Sequence, residues 1–380
     1  MVLAVRAEAS PQKRLALLDE WKAKYPATDQ RRARNELYFS VYQSLGDSPH
    51  MLDMAQAMLA DQPDNLVGLY WCTLLVPQAK DATPALLSTG EKAAHRLLDG
   101  LAVSFADNKK PSSLPDEEWK KQKSAVELQA HRALGWIAWQ RANYPAAEQE
   151  FTTVLQQNPT AAEISAWFGI VLALEKQPEK QVPALWQMAR AISVTGATAL
   201  PAAQRREVDT ALERLYIGYH GETEGLDQLR SRVAQSALPP ADFTIESAAV
   251  IAARRQDEEL KRTNPELAAW LGIRKRLEAT DGESYFSSAL QNSPLPKLKG
   301  SLLKASPARK PNELVLALRD AMSEEVTLKI SPAFVNEAEP GTQLEFEGTA
   351  ESYTRDPFRV TITVDQAKIT GWPEPPARRR

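Results

Sequence analysis

The sequence predicts a mainly α protein: a superhelical stack of paired helices followed by a small all-β domain closed as a five-stranded barrel. Three observations carry this. Short segments with apolar residues three and four apart recur in pairs across tight turns, the helical spacing. LADQPDN at 59–65 is echoed by LQQNPTA at 155–161, an internal repeat. After Asn292-Ser293-Pro294 the apolar spacing drops to two, the strand spacing.

The plan is plainest in residues 131–159. Leu134, Ile137 and Ala138 stripe one helix, and Ala147, Phe151, Val154 and Leu155 stripe a second. Gly135 and Ala147 are small where the helices must approach. Asn143-Tyr144-Pro145 supplies the turn, with Pro145 opening the second helix, and Asn158-Pro159 stops it. Leu134, Gly135, Ala147, Phe151 and Pro159 fall at the spacings of a tetratricopeptide repeat (TPR), which this unit resembles; His131, Ala138 and Val154 depart from that pattern. The resemblance implies a solenoid whose first helices line a concave groove that holds peptide segments.

In chain order, residues 10–26 read as a helix striped by Leu15, Leu18 and Trp21 or Tyr25 and stopped at Pro26, the second half of a truncated repeat. In 32–63, Tyr42, Gly46, Ala55, Met58 and Pro63 lie near repeat spacing. Residues 66–101 give a further pair around a loop at Ala82-Thr83-Pro84. The polar segment 104–115 reads as a surface loop, and Asp116-Glu117-Glu118 as a solvated helix start suited to the helix dipole. Residues 161–192 form another pair, with Trp167, Phe168, Gly169 and Leu172 facing Leu185, Trp186, Ala189 and Ile192. Their turn, 175–183, reads one residue longer than the repeat allows.

Residues 1–195 are therefore assigned to TPR-like repeats, and 196–290 to helices that continue and cap the solenoid, since an uncapped stack leaves an apolar face in water. Segments 297–304, 313–319, 325–330, 342–349 and 358–369 read as five strands. So small a sheet protects its edges best by closing, and the strand count and long 331–341 connection resemble an OB-fold over 296–373. The tail 374–380 is too short and proline-rich to fold. The whole resembles bacterial tetratricopeptide proteins that carry a small C-terminal β-domain.

Composition narrows the function classes. With 43% hydrophobic and 25% charged residues the 380-residue chain fits a globular protein of two or three domains. A net charge of −3 and a pI near 6.0 give no global attraction to nucleic acid or acidic membrane. Its one cysteine, Cys72, lies in an apolar run and reads as a buried apolar residue. No apolar run spans a bilayer. Ala7-Glu8-Ala9 resembles the end of a signal peptide, but the apolar stretch before it is too short. As it stands the chain reads as cytoplasmic, or as periplasmic or secreted if a signal has been lost upstream. No oligomeric state follows from these residues.

No nucleophile elbow, phosphate-binding glycine loop, metalloprotease motif or paired-cysteine spacing occurs, so no catalytic residue, metal ligand or cofactor is assigned. His50, His95, His131 and His220 are scattered singly. The loop 218–225, with His220, Glu222, Glu224 and three glycines, could hold an ion or simply connect two helices. Trp136 and Trp139 fall on the helix face away from Leu134 and Ile137. Either they line the concave groove, with Arg132, Asn143 and Ile170 beside them, or they pack on a neighbouring hairpin. The expected function is a non-enzymatic adaptor that binds a protein or peptide partner there. The alternative is a nucleic-acid-binding protein acting through the barrel, where Phe346, Tyr353, Phe358 and Arg355 or Arg359 would form a stacking platform. Interleaved Glu324, Glu325, Glu345, Glu347, Glu351 and Asp356 oppose that field.

Overall fold

The computed structural model describes residues 1–320 and 322–374; the end of the tail, 375–380, lies outside the described residues. The chain divides into two compact units after Ala248.

The first unit is helical: α1 (Val2–Ala7), α2 (Pro11–Lys24), α3 (Arg31–Leu45), α4 (Ser48–Asp61), α5 (Leu66–Leu75), α6 (Pro84–Ser104), α7 (Asp116–Gln140), α8 (Tyr144–Gln157), α9 (Ala162–Leu174), α10 (Pro178–Ser193), α11 (Ala202–His220) and α12 (Leu226–Arg232). From α1 to α11 each helix packs on the next, and α12 packs on α10. Side-chain oxygens of Ser10, Asp47, Asn65 and Thr83 accept from backbone amides at the starts of α2, α4, α5 and α6, capping otherwise orphaned donors.

The α7–α8 and α9–α10 hairpins repeat one geometry at the 34-residue period of the resembling family. Gly135 and Gly169 occupy equivalent places where no Cβ fits: one built on Gly135 would lie 2.5 Å from Phe151 Cε1, and one on Gly169 2.7 Å from Met188 Cγ. Ala142 and Lys176, equivalent again, turn the chain with φ of 57° and 55°. The two connections, 141–143 and 175–177, are equal in length, so the turn after α9 is not the longer one that the sequence suggested. Pro178 starts α10 and Pro183 lies inside it, which blurs the boundary read from prolines. Buried clusters succeed one another along the chain, from α1–α3 through α3–α7 and α7–α10 to α10–α12. Each hairpin shares its core with its neighbour, as a stacked solenoid requires and a single bundle does not.

The second unit holds α13 (Ala248–Thr263), α14 (Pro265–Glu278), α15 (Gly282–Tyr285) with a π-turn at Phe286–Leu290, and a mixed sheet of β1 (Leu298–Ser306), β2 (Glu313–Ala317), β3 (Val326–Ser331), β4 (Gln343–Phe346), β5 (Thr349–Arg355), β6 (Phe358–Asp365) and β7 (Ile369–Thr370). The strand order is β5-β6-β3-β2-β1-β4-β7, antiparallel except for the parallel β3–β6 pair. This corrects the five-stranded OB-like barrel: β5 and β7 are unjoined edges of an open seven-stranded sheet. The start of the β5 edge is covered locally. Asn292 and Leu295 amides donate to Ala350 and Gly348 carbonyls, each at 2.8 Å, and the other edge is only two residues long.

The segment expected to cap the solenoid is split between the units. Trp270 and Leu277 of α14 are fully buried in one core with Leu298, Leu316, Val326, Leu328 and Ile362 of the sheet. Tyr353 Oη donates to Leu277 O at 2.7 Å, and the buried Glu325 carboxylate pairs with Arg274 of α14 while accepting from the Leu318 and Arg319 amides. An apolar stripe two helical turns long says that α14 needs a partner, not which one.

Candidate functional site

The sequence placed its candidate site on the last turns of α7, and the structure separates the two tryptophans there. Trp136 is buried, 7% exposed, in the cluster built with Val76, Leu87, Leu97 and Ile137. It is therefore a packing residue between hairpins and not an exposed anchor. The helix α7 is covered by the preceding pair as well as by α8, and Leu134, Trp136 and Ile137 share one buried cluster with α5 and α6.

Trp139 is half-buried, its ring 6.4 Å from that of Trp167 on α9. Arg132 Nη2 and Nε each lie 2.9 Å from Glu163 Oε2, its guanidinium sits 4.8 Å from the Trp167 ring centroid, and its Nη1 is buried without a partner. Ile170 is half-buried against the Leu185 and Trp186 core; Asn143 is exposed and makes no side-chain cap on α8. Arg132, Trp139 and Ile170 thus belong to one face spanning α7 and α9.

The sequence missed three members of that face. Glu163, Trp167, Ile170 and Leu174 follow one another at spacings of four, three and four on α9, the signature of a single helix face. The spacing predicts Trp167 in the hairpin core, yet it is only half-buried, and Leu174 is 42% exposed. Beside Arg132 and Glu163 opens a cavity of about 400 Å³, lined also by Leu128, Val154, Ile164 and Thr198. On the neighbouring turn His131 Nδ1 lies 2.6 Å from Glu150 Oε2; this hydrogen bond holds the imidazole above its ordinary pKa against the opposing pull of burial. The face offers apolar and aromatic contact with a neutralised charge pair at one end.

The other candidates resolve into structural roles. Cys72 is fully buried, and burial pushes its thiol up to about 12. His50 Nδ1 sits 2.7 Å from Asp47 Oδ2, and His95 is exposed on α6. In the 218–225 loop His220 Nδ1 contacts Glu246 O at 2.8 Å, and Tyr216 Oη donates to Glu224 O at 2.7 Å. Gly221 and Gly225, with φ of 97° and 83°, end α11 and begin α12, so the loop is a helix connection.

The stacking platform on the β-domain is not assembled. Phe346 is core at 1% exposure, and Phe358 packs edge-on to Trp270 beneath the Arg274 guanidinium. Arg355 donates to Glu278 O at 2.8 Å, and Arg359 is paired with Glu324. Among the described residues no helix is long and apolar enough to cross a membrane.

No protein-family model matches the chain, and no curated protein does. Among solved structures, the chain is similar to the crystal structure of the P58(IPK) TPR domain, at 16% identity over 73% of this chain and 71% of that one, with a TM-score of 0.25. A superposition that loose carries no argument; the hairpin geometry above stands on its own.

Proposed function

We propose that the helical unit is a non-catalytic protein-interaction scaffold that binds a peptide segment of a partner protein along the α7–α9 face. Trp139, Trp167, Ile170 and Leu174 supply the contact surface, with Arg132 and Asn143 at its borders. The observation that carries this reading is the exposed continuation of the aromatic pair. Two half-buried tryptophans lead into Ile170 and the 42% exposed Leu174, where a stripe with only a packing role would end buried. Rigid aromatics of this kind dominate the energy of many protein interfaces. Arg132 also lines the cavity beside them.

The test is selection of peptides displayed on phage against the full-length protein, followed by anisotropy titration of the enriched sequences. Binding weakened at least about tenfold by Trp139→Ala and by Leu174→Glu, with helical content unchanged, supports the assignment. Enriched peptides indifferent to both substitutions, or no enrichment at all, refute it.

A further inference from the structure

We propose that a second groove, between α10 and α11, docks an acidic partner segment through one large apolar side chain flanked by carboxylates. The groove is lined by Ala173, Lys176, Gln181, Ala184, Leu185, Arg214, Leu215, Gly218 and Tyr219 and encloses about 240 Å³. That is smaller than the 300–1,000 Å³ of drug-sized ligand sites and suits a single anchoring side chain. Its floor is apolar: Ala184 and Leu185 are buried, while Leu215 is 36% exposed at the rim.

The electrostatics are one-sided. Lys176 and Arg214 line the groove, no carboxylate does, and among the described residues neither cation has an ion-pair partner within 4 Å. Other cations between helices of this unit are neutralised, as in Arg132–Glu163, Arg141–Glu91 and Lys180–Glu148. Lys176 is held at the groove by a backbone in the left-handed region, where its φ is 55°. Gly218 leaves the wall open, since a Cβ there would meet nothing within 4 Å. A partner backbone can approach the α11 surface closely at that point.

These features commit the occupant to an acidic, locally amphipathic protein segment. Acidic side chains complement the two cations, and the apolar floor of Ala184 and Leu185 takes the apolar anchor. Its lining includes none of Trp139, Trp167, Ile170 and Leu174, and the inference does not depend on those residues binding anything.

The test uses the full chain and three synthetic fluorescein-labelled 12-residue peptides. One carries a central Phe flanked on both sides by Glu, one replaces Glu with Lys, and one replaces Phe with Ser. The expected result is micromolar binding of the first peptide alone. Lys176→Glu combined with Arg214→Glu should weaken it about tenfold or more, because reversal turns two attractions into repulsions. Gly218→Trp should abolish binding by filling the groove, with circular dichroism confirming intact helices, and Trp139→Ala should leave it unchanged. Equal binding of the Lys or Ser peptide, or indifference to Gly218→Trp, overturns the proposal. So does self-association of the protein that Gly218→Trp removes, which would make a second copy the occupant. Sedimentation with phosphatidylserine vesicles lost in the charge-reversed variant would overturn it in favour of a lipid surface.

Discussion

The stacking argument makes its sharpest prediction at two glycines of identical sequence chemistry and opposite surroundings. Gly135 lies inside α7 and Gly218 inside α11, so Ala at either gains about 1 kcal/mol of helix propensity. At Gly218 nothing opposes that gain, because a Cβ meets no atom within 4 Å. At Gly135 the Cβ would lie 2.5 Å and 2.7 Å from two ring carbons of Phe151 and 3.2 Å from Glu150 Cβ. The Phe151 ring cannot yield easily: it is fully buried, with Trp167 and Phe168 centroids 6.1 Å and 6.2 Å away. Overpacking of this kind costs about 1–3 kcal/mol. Subtracting one variant from the other cancels the propensity and isolates the steric cost, so Gly135→Ala should be less stable than Gly218→Ala by about 1–3 kcal/mol. Urea unfolding followed by circular dichroism measures this, with a separation in melting temperature of about 2–4 °C per kcal/mol for a unit of this size. If Gly135→Ala proves as stable as Gly218→Ala, α7 and α8 do not approach as closely as the repeat geometry requires.

Trp136→Ala should cost about 3–5 kcal/mol, the range for emptying a buried aromatic site, and Trp139→Ala clearly less; equal losses would contradict the separation of the pair. Glu325→Ala should cost about 1–3 kcal/mol in the β-bearing unit, because it leaves two backbone amides without their acceptor while Arg274 keeps Glu278, and near-UV circular dichroism would follow any loss of Trp270 packing. His131 has a folded-state pKa raised above 6.5 by Glu150, so its stabilisation is full below the unfolded pKa and disappears as pH rises through the raised folded value. Both side chains are about one-fifth exposed, which limits the effect to about 1 kcal/mol or less. Glu150→Gln should flatten that part of the stability profile on the alkaline side of the ordinary imidazole pKa, and an unchanged slope would refute the pairing.

What the sequence showed and what it hid follow the range of the interactions involved. Gly135, Ala147, Phe151 and the Asn143-Tyr144-Pro145 turn act within one hairpin, and their spacing revealed that hairpin. The burial of Trp136 depends on Val76, Leu87 and Leu97, whose distance in sequence leaves no periodic signal. The open sheet was hidden for a related reason. The strand β5, TAESYTR, shows little strand periodicity because Ala350 is its one fully buried residue, and Tyr353 reaches past the sheet to Leu277. With β5 unseen, the parallel β3–β6 pairing and the two free edges could not be anticipated.

The face on α7 and α9 was half legible, and the half that was missed bears on the binding role proposed for it. Trp139 stood out as a tryptophan on the wrong side of its helix, but a lone half-buried indole is a weak anchor. The structure adds Glu163 and Trp167 on α9, reached by Arg132 of α7, which pairs with the first and stacks on the second. That bridge fixes the spacing of the two helices and the rotamer of Trp167 before any partner arrives. Side-chain ordering costs about 0.5–1.5 kcal/mol per immobilised group on binding, so a surface ordered in advance keeps more of its contact energy as affinity. On this reasoning Glu163→Gln should weaken partner binding although Glu163 itself need touch no partner. Its signature would be faster dissociation with little change in association rate, because contact order and not electrostatic steering is lost.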